Sequence, residues 1–280
     1  VAMLKKLPPP LPLTPAPLGS VSPRGWFLRE LIVQKNGLTG HIEGVWEDLG
    51  KNSGWLGGTG ENWERGPYYL DGLVPLAYLL QDDALTQKTQ PWIEWMLASQ
   101  RADGFFGPAD NLDWWPRMVA LKVLTQYAEA TGDPRVIPFL DRYFRFQLQS
   151  LPAQPLSMWA AARGQEQLLP MLWLYRKTGE PYLLELASLL RKQSYDWSGF
   201  FTHFPYEKTT HAYLSRPLFM AVKRVTLIQD WTAKRIKKAR IKQGKPSTPP
   251  KPKTAEEIEK GNASPFLRAF HQTHGVNLAM

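Results

Sequence analysis

The stretch VPLAYLLQDDALTQKTQPWIEWMLASQ, residues 74–100, reads as two amphipathic helices folded back on one another. Apolar side chains recur every three or four positions up to Leu80, which is the period of a helix buried along one face. The polar turn Gln81-Asp82-Asp83 interrupts that period, and it resumes over Ala84–Gln100. Pro91 falls well inside the second helix, where proline removes a ladder hydrogen bond.

The same pattern returns twice. Tyr78, Tyr127 and Tyr175 lie 49 and 48 residues apart, each near the end of an apolar helix. After the second and third come the turns Thr131-Gly132-Asp133 and Thr178-Gly179-Glu180, then amphipathic segments over Pro134–Leu148 and Pro181–Lys192. Pro134 and Pro181 sit where a first helical turn tolerates a missing N–H. A hairpin repeated at this period predicts either a stacked solenoid or a closed ring. The links from each second helix to the next hairpin are long and aromatic: ADGFFGPADNLDWW over Ala102–Trp115 and SLPAQPLSMW over Ser150–Trp159. Long loops on one side build a pocket over a ring's mouth, which favours the ring. The expected fold is therefore all-α, an (α/α)6-barrel-type toroid of helical hairpins, incomplete in this chain.

Outward from the hairpins, residues 1–23 read as a Pro-rich leader, with LPPPLPLTPAPLGSVSP over 7–23 extended on the surface. A helix pattern opens at Arg24 and ends at Asn36-Gly37. Residues 50–62, GKNSGWLGGTGEN, form a Gly-rich loop without the strand and Gly-Lys-Ser/Thr of a phosphate-binding loop. The hairpin portion spans 24–210. Residues 211–264 read as a basic insertion, with a helix pattern over 222–242 and the flexible linker GKPSTPPKPK over 244–253. A barrel helix is expected to resume over 265–280.

The net charge of +9 is local. Residues 216–260 hold 13 Lys and Arg against 4 Asp and Glu, leaving 21 of each elsewhere. The run Lys234-Arg235-Ile236-Lys237-Lys238-Ala239-Arg240 has the charge of a nucleic-acid or anionic-surface footprint. It lacks interleaved aromatics, and a solvated surface insertion accounts for it without nucleic acid. No apolar run reaches the length of a membrane span and no signal peptide is evident, so the default compartment is cytoplasmic. The sequence contains no cysteine, which removes disulfides, thiol nucleophiles and Cys-based metal sites from these residues. His271 and His274 share a spacing that suits one helix face but lack a third ligand in view, so no metal is assigned to them. No nucleophile elbow supports Ser/His/Asp chemistry.

Twelve tryptophans in 280 residues are many for a helical protein, and each needs a partner for its N–H when buried. Carboxylates accompany them. Glu61, Glu64 and Asp71 surround Trp63 and Tyr68-Tyr69, Asp110 and Asp113 precede Trp114-Trp115, and Glu166 heads the third hairpin. Aromatic faces stack on the C–H face of a sugar ring while carboxylates accept its hydroxyls, so this combination points to carbohydrate. The competing reading is that the acids cap their helices and the indoles seal gaps between hairpins.

Several ordered stretches resemble glycoside hydrolase family 127, the β-L-arabinofuranosidase-like family. They are Pro12-Leu13 through Gly25-Trp26, Asn36-Gly37-Leu38-Thr39-Gly40-His41, Asn52–Gly60 (NSGWLGGTG), Glu64–Leu73 (ERGPYYLDGL), Asp113–Met118 (DWWPRM), Glu129–Asp133 (EATGD) and His274-Gly275-Val276-Asn277. The resemblance covers most of residues 10–207 and resumes near 266. It implies an (α/α)6 barrel followed by β-sandwich domains. It also implies an exo-acting hydrolase on L-arabinofuranosyl or related plant-cell-wall sugars, with zinc and a zinc-bound cysteine nucleophile in the full-length enzyme. Neither zinc ligands nor nucleophile map onto these residues, so no cofactor and no catalytic residue is assigned to this chain, which is expected to retain no zinc and turn over no arabinofuranoside alone. His274 matches a sugar-facing histidine of the family, and Glu166 the glutamate of a Gly-His-Pro-Glu segment that here reads Arg163-Gly164-Gln165-Glu166. The alternatives are a non-catalytic carbohydrate-binding or scaffold toroid, or another (α/α)-barrel sugar enzyme such as an unsaturated glucuronyl hydrolase or a sugar epimerase.

The expected substrate-binding set is Trp63, Glu64, Trp115, Arg117, Glu166 and His274, converging at one mouth. Arg117 is expected between Glu64 and Glu166, with Trp63 and Trp115 as the stacking wall.

Overall fold

The computed structural model describes residues 16–202, 235 and 254–262. Within them the protein is all-α, with no strand among the described residues. Helix α1 is Gly25–Asn36 and the short α2 is Leu38–His41. Three hairpins follow: α3 (Arg65–Leu80) with α4 (Asp83–Ala98), α5 (Trp114–Thr131) with α6 (Val136–Ser150), and α8 (Leu168–Thr178) with α9 (Tyr182–Gln193). The short α7 (Met158–Arg163) and a 3-10 turn (Gly164–Gln167) lie between the second and third hairpins. Helices α10 (Trp197–Thr202) and α11 (Ala255–Asn262) complete the described elements.

Each hairpin turns where the polar residues predict. The first helices end in the left-handed region, at Gln81 (φ 51°), Gly132 (φ 69°) and Gly179 (φ 71°), and the cap N–H returns to a carbonyl of the last turn. Asp82 then caps α4 by accepting from Leu85 N at 3.0 Å. Pro67, Pro116 and Pro170 each take the third position of α3, α5 and α8. An N–H there has no partner within the helix, so its loss costs nothing. Pro91 is carried within α4, on its exposed face.

The first helices lie side by side, α3 on α5 and α5 on α8, while α4, α6 and α9 back them. Leu70, Leu73, Val74 and Ala77 of α3 join Leu121, Val123 and Leu124 of α5 in one apolar core, all at 0% exposure. Each such leucine contributes about 2 kcal/mol through burial. Tryptophan N–H groups tie neighbouring elements across this core. Trp173 Nε1 donates to Glu129 Oε1 at 2.5 Å, joining α8 to α5, and Trp114 Nε1 donates to Gln154 O at 3.0 Å. A reciprocal amide pair between Gln147 and Gln167, both fully buried, fixes α6 against the turn before α8.

Two sequence expectations change here. The segment after Ser150 is not loop throughout, because Ala160 and Ala161 are buried at 0% and their packing sustains α7. Within 244–264, expected as a mobile or peripheral linker, Ala255–Asn262 forms α11, which packs on α7 and buries Ile258 to 8% exposure. The Pro-rich leader up to residue 15, the linker at 244–253 and the helix expected over 265–280 lie outside the described residues. So does the basic run, of which only Arg235 is described.

Candidate functional site

The beginnings of α3 and α5 and the segment Arg163–Glu166 supply the side chains that sequence reasoning singled out. Glu64 immediately precedes α3 but makes no capping bond to it. Its Oε2 instead accepts from Trp115 Nε1 at 2.5 Å, across to the second hairpin. Asp113 does cap, accepting from Trp115 N at 3.1 Å, and its other oxygen accepts from Trp63 Nε1 at 2.8 Å. Trp63 in turn receives Trp55 Nε1 on its carbonyl at 2.7 Å. The chain of bonds Trp55–Trp63–Asp113–Trp115–Glu64 thus sets the Gly-rich loop against the start of α5.

Arg163, which sequence reasoning did not select, closes the group. Its guanidinium lies 4.6 Å over the Trp115 ring, its Nε donates to Glu166, and its Nη1 donates to Tyr68 Oη at 3.1 Å. Tyr68 leans on Trp115 with ring centroids 5.9 Å apart and is 39% exposed. Burial raises the Tyr68 hydroxyl to a pKa of about 12; the positive Arg163 pulls it down, while Glu64, Glu166 and Asp71 push it further up. The hydroxyl is therefore a neutral group at physiological pH, accepting from Arg163 and left with its own hydrogen to donate. Asp71, one turn further along α3, is held by Lys122 Nζ at 2.9 Å and Gln126 Nε2 at 3.1 Å from α5.

Structure and expectation part at Arg117. It is not flanked by Glu64 and Glu166. It is fully buried, with Nε donating to Phe106 O (2.7 Å), Nη1 to Asp113 O (2.8 Å) and Nη2 to Pro108 O (3.2 Å) and Asn111 O (2.7 Å). Its guanidinium also lies 3.9 Å over the Phe105 ring. Helical side chains tilt toward the helix start, which aims Arg117 into the preceding loop. Gly107, at φ 85°, lets that loop pass the Trp55 ring; a Cβ there would meet it at 2.9 Å. Burial lowers the Arg117 pKa to about 10, and it remains charged at neutral pH.

Trp115 departs from expectation as well. At 1% exposure between Arg163 and Tyr68, it is a base plate for those side chains and offers no open stacking face. Of the six expected residues, Glu64, Trp115 and Glu166 are brought together through Tyr68 and Arg163. Trp63 lies beside them through Asp113, Arg117 belongs to the loop, and His274 is outside the described residues. The signal for Arg163 was its spacing of three from Glu166, an ion-pairing distance along a helical turn.

Among the described residues no group of three His, Asp or Glu is placed to hold a metal, and no helix is long and apolar enough to cross a membrane. No known protein family, no curated protein and no solved structure matches the chain.

Proposed function

We propose that this chain is the sugar-binding helical portion of a glycoside hydrolase of the β-L-arabinofuranosidase-like kind, exo-acting on L-arabinofuranosyl or related plant-cell-wall sugars. In this reading the hairpins form part of an (α/α)6 toroid, and the face built from Tyr68, Glu64, Arg163 and Glu166 meets the sugar at its mouth. The observation that supports it is the convergence, from three separate segments, of two carboxylates, a guanidinium and an exposed tyrosine on a buried tryptophan. Helix capping does not account for it, because Glu64 caps nothing and Glu166 pairs with Arg163. Carboxylates that accept hydroxyls beside an aromatic face are what a furanose or pyranose ring needs.

The residues do not fit the zinc-bound cysteine that the resemblance implies. The sequence has no cysteine, and the described carboxylates are engaged with Trp, Tyr, Arg and Lys donors. The reading therefore assigns this chain binding and orientation of the sugar, and no bond-breaking step. Titration with methyl β-L-arabinofuranoside, followed by tryptophan fluorescence and amide NMR shifts, tests it. Saturable binding weakened about tenfold by Tyr68→Ala supports the reading. Absence of binding, or binding indifferent to Tyr68→Ala, overturns it.

A further inference from the structure

The sign of the charge at this face carries the reading one step further. Three carboxylates, Glu64, Glu166 and Asp71, surround Tyr68 against two cations, Arg163 and Lys122. Lys122 is taken by Asp71, and Arg163 by Glu166 and Tyr68 Oη. Glu64 has no cation among its bonds; its one bond is from the neutral Trp115 indole. Behind it lies Glu61, whose carboxyl is pushed up first by burial and also by Glu64. The face therefore carries an excess of negative charge, and each of its cations already has an anion within reach.

Resting on the sugar-binding reading above, we propose that this face selects neutral, hydroxyl-bearing sugars and excludes acidic ones, with Glu64 and Glu166 as the discriminating residues. A neutral sugar brings O–H donors to the open carboxylate oxygens, Glu64 Oε1 and Glu166 Oε2, and accepts from the Tyr68 hydroxyl. A uronate brings a second anion to a site with no spare cation, and like charges in contact weaken binding unless one is neutralised. Arg163 serves as a positioning residue. Held over Trp115, it fixes Glu166 and Tyr68, and its charge is already compensated before a ligand arrives. This separates the chain from enzymes that take unsaturated glucuronyl substrates, which need an uncompensated cation for the carboxylate.

The test uses methyl β-L-arabinofuranoside, D-galactose and D-galacturonate on the whole chain; the last two differ only at C6. Affinities are read by NMR titration in low and high NaCl. Expected is binding of the neutral sugars insensitive to salt, with galacturonate at least about tenfold weaker than galactose at low salt. Glu64→Gln combined with Glu166→Gln should narrow that gap. Both amides keep the acceptor oxygen that Trp115 Nε1 and Arg163 Nε use, and circular dichroism verifies the fold. Galacturonate binding as tightly as galactose to the wild type overturns the charge proposal and leaves the sugar reading standing. A gap unchanged in the double variant removes Glu64 and Glu166 from the role. No binding of any of the three overturns the sugar reading, and this proposal with it.

Discussion

At the scale of the residue, Arg117 and Tyr143 make opposite cases. Arg117 satisfies four backbone carbonyls, so Arg117→Met would leave them buried without a donor. A loss of about 3 kcal/mol or more in urea unfolding is expected, and Arg117→Lys should recover only part of it, since an ammonium does not reproduce the planar fork. Tyr143, also fully buried, has a hydroxyl with no partner among the described residues. Burial therefore drives its pKa up, and Tyr143→Phe should be neutral or stabilising by roughly 0.5–1 kcal/mol. A destabilised Tyr143→Phe would mean that the hydroxyl is bonded after all. Sequence showed a charge at the start of α5 but not its direction. A polar pocket and a loop rich in carbonyls both satisfy a guanidinium, and only the path of residues 104–113 decides between them. The same limit hid Arg163: its value comes from Trp115 and Tyr68, which are remote in sequence and meet it only through packing.

At the scale of the element, the turns were the most readable part. Gly132 and Gly179 announce the left-handed caps of α5 and α8 directly. The first hairpin uses Gln81 in the same conformation, at a cost that glycine avoids. Gln81→Gly should stabilise by roughly 0.5 kcal/mol and Gly132→Ala destabilise by about 1 kcal/mol, read as opposite shifts in thermal midpoint. Equal signs for the two would contradict the shared turn. Less legible were α7 and α11. Six and eight residues are too few for local periodicity to identify a helix, and both stand on tertiary contact through Ala160, Ala161 and Ile258.

At the scale of the whole molecule, ion pairs join hairpin to hairpin and α1 to the first hairpin. Lys35 of α1 binds Asp82, and Arg135 binds both Asp133 and Glu94 of α4. These donors hold the Asp82, Asp133 and Glu94 carboxyls below their ordinary values. A carboxyl depressed on folding adds stability above its unfolded pKa and loses it as pH falls through the folded one. The thermal midpoint should therefore fall as the solution is acidified through and below the carboxylate range. Arg135→Met should make the fall shallower, by a modest amount because Arg135 and Glu94 are half-exposed. A midpoint flat across that range would refute the linkage. The hairpin repeat, and hence the fold class, was legible because it is written in local periodicity. Which charges lie between the hairpins was not, since the pairing depends on how the hairpins are set side by side.

The succession of α3 on α5 and α5 on α8 has a kinetic consequence. When each unit leans chiefly on the next, folding needs no distant ends to meet before contacts are rewarded, and the cooperative unit is a pair of neighbours. The second hairpin, with a neighbour on either side, is placed to nucleate the array, and the third to open first. An ancestral duplication of one such unit would have been stabilised from the first copy onward.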